Sequence, residues 1–123
     1  MSKRFKAPTL PEITYEYLGL YRKPARLKDF EALEKSFQKA LIRTNKAEDV
    51  RAALALDTRR ELPVQLKSPL YERLLSIEGR SLALLREYAQ VMYEFGPEFT
   101  PYADRLWDEA DALEEGAIED EGR

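Results

Sequence analysis

The chain contains no histidine and no cysteine. Histidine is the usual general acid and base near neutral pH and the commonest metal ligand. Without either residue there is no Ser-His or Cys-His nucleophile system, no thiolate zinc site and no Glu-x-x-His di-iron bundle. Only carboxylate or lysine chemistry remains, and the reading is of a protein that is not an enzyme. The lack of cysteine also excludes a disulfide framework and fits a cytoplasmic protein. No run of about 18 apolar residues occurs, so no membrane span and no membrane partner is expected. The basic start, Met1-Ser2-Lys3-Arg4-Phe5-Lys6, leads into Pro8 and Pro11 rather than an apolar stretch, so no secretory signal is expected. Glycine is scarce, at five residues, and there is no glycine-rich loop. No cofactor or metal is expected.

What is present favours helix. The 123 residues are rich in Leu, Ala, Glu and Arg, and their 44% hydrophobic content suffices for one core. Charge is divided along the chain. Residues 1–67 hold 15 Lys/Arg and 9 Asp/Glu, a balance of +6, whereas residues 68–123 hold 5 and 14, a balance of −9.

Residues 1–23 read as an N-terminal arm, with Phe5, Tyr15, Tyr17 and Tyr21 set among cations and two prolines. Residues 11–21 fit two periods. A helix puts Ile13, Tyr17, Leu20 and Tyr21 on one stripe, and a strand puts Ile13, Tyr15, Tyr17 and Tyr21 on one face. Residues 24–115 read as the folded domain. Leu27, Phe30, Leu33, Phe37, Ala40 and Leu41 form one apolar stripe, predicting a helix that ends near Arg43. Asn45, three residues before Glu48, predicts an N-cap for a short helix over 46–57. Residues 57–67 read as a connection. Ser68-Pro69 predicts a cap with proline at the first helical position. Leu70, Leu74, Ile77, Ser81, Leu84, Tyr88, Val91 and Phe95 then recur at spacings of four and three, predicting one long central helix with a weak point at Gly79 and Ser81. Gly96-Pro97 ends it, and Thr100-Pro101 predicts the cap of a last helix. Residues 116–123 read as a short acidic tail. The expected fold is all-α, a small antiparallel bundle of three to four helices with an N-terminal arm and an acidic C-terminal tail.

Three groups of residues are candidates for function. Lys28, Lys35, Lys39, Arg43 and Lys46 lie along one side of the first predicted helix. Such a row suits phosphate contacts and a nucleic-acid-associated accessory role. Asp29, Glu31, Glu34, Glu48 and Asp49 are interspersed, which favours a plain solvated face. A helix-turn-helix there is disfavoured, because Pro63 falls inside its recognition helix.

On the last predicted helix, Asp104, Asp108 and Asp111 point one way, with Glu115 following. Such a row makes an electrostatic docking surface for a basic patch, or carboxylate ligands for Mg²⁺ or Ca²⁺ in a metalloenzyme. No matching ligand cluster lies elsewhere in the chain. The third group is aromatic. Tyr93, Phe99 and Trp107 surround the proline punctuation and suit either interface anchors or an apolar plug.

Together these readings favour a non-enzymatic adaptor, assembly factor or regulator bound to a protein partner or larger assembly, and homo-oligomerisation is compatible. The alternatives are the nucleic-acid accessory subunit and, last, the carboxylate metalloenzyme.

Overall fold

The computed structural model describes residues 8–20, 26–58 and 62–121, the last five of these as backbone. The described residues are all-helical, with no strand among them. Six α-helices follow in order: α1 (Leu10–Leu20), α2 (Leu27–Arg43), α3 (Ala47–Ala55), α4 (Val64–Glu78), α5 (Leu82–Glu94) and α6 (Thr100–Glu121), with a 3₁₀ turn at Pro97–Phe99 before α6. None of the helices is long and apolar enough to cross a membrane. The chain divides into two compact units, Met1–Leu74 and Leu75–Arg123.

In the first unit, the ambiguous stretch within residues 11–21 is a helix. Thr9 caps it. Its hydroxyl accepts from the Glu12 N–H at 3.3 Å and donates to the Glu12 carboxylate at 2.9 Å. Leu10, Ile13, Thr14, Tyr17 and Leu18 are buried, at helical spacing, and α1 packs on α2 and α3. The buried Thr14 hydroxyl is satisfied by the Leu10 carbonyl at 2.8 Å. Tyr17 meets Phe30 edge-on while Arg43 donates to the Pro8 carbonyl, so α1 and α2 run antiparallel. Residues 10–20 of the expected arm therefore belong to the packed unit.

The α2 helix follows the second half of the predicted stripe, with Phe37, Ala40 and Leu41 buried, Phe30 and Leu33 half-buried, and Leu27 75% exposed at its start. Its C-terminus is closed from α4. The Arg73 guanidinium donates to the Thr44 carbonyl at 2.9 Å and the Ile42 carbonyl at 3.2 Å, placing a cation on the negative end of the helix.

Three predicted caps are displaced. The N-cap of α3 is Lys46, with no side-chain cap, and not Asn45. The α4 helix starts before Ser68-Pro69, because the Pro63 carbonyl accepts from the N–H groups of Leu66 and Lys67 and opens the first turn there. Pro69 consequently lies inside α4, where its missing N–H leaves the carbonyl of exposed Gln65 without the usual helical donor. Thr100 is itself helical, since the turn at Pro97–Phe99 runs straight into α6.

The expected long central helix breaks at its expected weak point, between Glu78 and Leu82, into two helices. Gly79 closes α4 with φ +93°, a left-handed conformation that suits glycine, and the Ser81 hydroxyl accepts from the Leu84 N–H to cap α5. Six helices thus replace the expected three to four. Gly96, with φ +134°, ends the following segment as expected.

In the second unit α5 and α6 pack on each other. Along one side Arg80 meets Glu109 and Tyr88 meets Tyr102, so α6 numbers fall as α5 numbers rise and the pair is antiparallel. Leu84, Leu85, Tyr88, Ala89 and Met92 of α5, and Ala103, Leu106 and Ala110 of α6, are buried. Gly116 to Glu121 of the expected tail continue α6.

Candidate functional site

Small residues on the inner side of α6 turn its acids outward. Ala103, Leu106 and Ala110 are buried, and Asp104, Asp108, Asp111 and Glu115 are exposed at steps of four, three and four residues. On a helix these steps keep the four carboxylates in one lengthwise stripe.

The structure sorts the acids of α6 by their neighbours. Arg80 holds Glu109 through two bonds, Nε to Oε2 at 2.6 Å and Nη2 to Oε1 at 2.8 Å. This hydrogen bond holds the Glu109 carboxyl below its ordinary pKa; partial burial opposes the shift, and the Arg80 charge adds to it. Arg86 donates to Glu114, and its Nη2 lies 4.0 Å from Asp111. The flanks of the helix are thus neutralised. Among the described residues, no cation pairs with Asp104, Asp108 or Glu115.

This stripe is not arranged as a metal centre. Among the described residues no three or more carboxylates are grouped to hold a metal ion. Steps of three and four residues spread Asp104, Asp108 and Asp111 over about 10 Å of helix axis, further than one ion spans.

Aromatic residues border the stripe on one side. Trp107 lies three residues after Asp104 and four before Asp111, so its half-buried ring neighbours both. Tyr93 of α5 sits beside it, with centroids 5.7 Å apart and planes tilted 54°, and is 52% exposed. The other aromatics near the loop pack inward. Phe99 is half-buried and pairs edge-on with Phe95. The hydroxyls of Tyr88 and Tyr102 are 3.0 Å apart, and Arg105 lies over the Tyr102 ring.

The remaining candidates are dispersed. Tyr15 is 65% exposed, on the outer side of α1. Tyr17 is buried against Phe30, so it supports the unit and offers no surface for a partner. Phe5 and Tyr21 lie outside the described residues. Lys28, Lys35, Lys39 and Arg43 are exposed along the outer side of α2, and Lys46 is exposed at the cap of α3. Arg43 is engaged by the Pro8 carbonyl at 3.3 Å, while Lys28, Lys35 and Lys39 have no ion-pair partner among the described residues.

No family model, curated protein or solved structure matches this chain. Its functional reading rests on these surfaces alone.

The periodicity of the sequence did not expose the cations that shape the site. Arg80 and Arg86 decide which acids of α6 are neutralised, yet their partners are 25 to 29 residues away and no local pattern marks them.

Proposed function

We propose that this protein is a non-enzymatic interaction module, an adaptor, assembly factor or regulator, that docks the outer face of α6 on a basic surface of a larger partner. The observation that carries this reading is the α6 stripe: Asp104, Asp108 and Glu115 lack cations among the described residues, beside the tilted Tyr93–Trp107 pair. Carboxylates alone would suit plain solvation. Aromatic rings next to them add apolar area, and their faces attract the guanidinium or ammonium groups that the carboxylates also attract. The lack of histidine and cysteine across the chain supports a binding role over catalysis.

The test is capture from native extract on the immobilised full chain, with and without nuclease. The wild type should retain a basic protein that survives nuclease and leaves with salt. Asp104→Lys/Asp108→Lys should lose it. Retention by that variant would reject the α6 face, and capture abolished by nuclease would point instead to nucleic acid on the α2 lysines.

A further inference from the structure

We infer that the α6 face of one copy docks on the α2 face of a second copy of this chain. The inference rests on the reading of α6 as a docking face and names its partner. Two stripes match. On α6, Asp104, Asp108, Asp111 and Glu115 step by four, three and four; on α2, Lys28, Ala32, Lys35 and Lys39 step identically, and all eight residues are exposed. Each stripe covers eleven steps, about 16 Å of helix, so charges on two adjacent helices meet at matched heights. The pattern is the same read in either direction, so the match holds for parallel and antiparallel approach. Ala32 is the one place where a carboxylate faces no cation.

Each stripe also has an apolar border. Trp107 and Tyr93 flank the acids, and Ile42, 71% exposed, lies three residues beyond Lys39. Lys28, Lys35, Lys39, Asp104, Asp108 and Glu115 have no ion-pair partners among the described residues, and Asp111 alone of the stripe already meets a cation, the Arg86 guanidinium at 4.0 Å.

A single helix-on-helix strip falls below the roughly 1,000 Å² of a stable interface, and exposed ion pairs contribute little each. The association is therefore weak and salt-sensitive. Because it joins unlike patches, it either closes or extends through further copies.

Sedimentation velocity on the full chain tests this. At low salt, about 50 mM, the sedimentation coefficient should rise with protein concentration, and at about 500 mM it should stay monomeric. Asp108→Lys/Asp111→Lys and Lys35→Glu/Lys39→Glu should each remain monomeric alone and associate when mixed, since the unaltered α6 face of the second variant then meets the unaltered α2 face of the first. Glu16→Lys/Glu48→Lys makes the same change in net charge as the Asp→Lys pair, away from both stripes, and should associate like the wild type.

A wild type that is monomeric throughout overturns the inference, whatever the folding of the variants. So does a mixture that fails to associate, or a control that loses association equally. A monomeric wild type that still captures a basic protein through α6 leaves the functional reading standing and removes only the second copy.

Discussion

Asp57 is a position where a single change should cost this protein heavily. Its side chain is 1% exposed and closes the connection between α3 and α4. Oδ2 receives the Lys67 ammonium at 2.7 Å, and Oδ1 accepts from the Leu62 N–H at 3.0 Å. Lys67 is itself only 16% exposed. Asp57→Ala therefore removes the carboxylate from a largely buried cation and leaves the N–H of buried Leu62 without its acceptor. Breaking one side of a buried pair costs about 3–5 kcal/mol. Asp57→Asn keeps an oxygen for Leu62 and loses only the charge, so about 2 kcal/mol is expected.

Asp57→Ala/Lys67→Met removes both charges together and should recover at least half of the single-variant loss, leaving the Leu62 N–H cost of about 1–2 kcal/mol. The assay is urea unfolding followed by far-ultraviolet circular dichroism, with the wild type, Asp57→Ala, Lys67→Met and the double variant forming a double-mutant cycle. A loss below about 1 kcal/mol for Asp57→Ala, or a double variant worse than either single one, would refute the reasoning.

Other outcomes follow from the same structure. Arg73→Met should destabilise by about 2 kcal/mol through loss of both carbonyl bonds at the end of α2, and Arg73→Lys should recover only part, because an ammonium lacks the planar fork; urea midpoints decide this. Gly79→Ala should cost about 1–2 kcal/mol of backbone strain although its Cβ meets no atom within 4 Å, and a neutral effect would show that the turn relaxes. The lowered pKa of Glu109 contributes stability above its unfolded value of 4.5 and loses it as pH falls through the folded value. Both partners are more than a third exposed, so solvent screening keeps the effect under about 1 kcal/mol. The stability gap between wild type and Arg80→Gln should accordingly close in titrations below about pH 4.

Helices with one apolar stripe were legible in the sequence. The α2 helix ends at Arg43 as its spacing indicates, and the α6 acids face outward because Ala103, Leu106 and Ala110 turn inward. The α1 helix carried its own signal in Thr9-x-x-Glu12, which distinguishes helix from strand more sharply than the apolar period does. The four-three spacing from Leu70 to Phe95 misled because it runs without interruption through Ser81. Backbone conformation at Gly79 decides that break, and apolar spacing does not report it.

Proline signals were ambiguous in a similar way. Pro63 and Pro69 both suit the start of α4, and the upstream one opens it, at the cost of one carbonyl bond at Gln65. Arg73 on the end of α2, Lys67 on Asp57, and Arg80 and Arg86 on the flanks of α6 are tertiary pairings. No residue spacing announces them, and they determine which surface charges stay available.

Zero-length carbodiimide coupling of the captured complex, read by mass spectrometry, tests the docking face most directly, since it joins carboxylates to amines already in contact. Links are expected from Asp104, Asp108 and Glu115 to lysines of the partner, and to Lys28, Lys35 and Lys39 when the partner is an isotopically labelled second copy. Links confined to Glu16, Glu31 or Glu48, with the α6 stripe uncoupled, would contradict it.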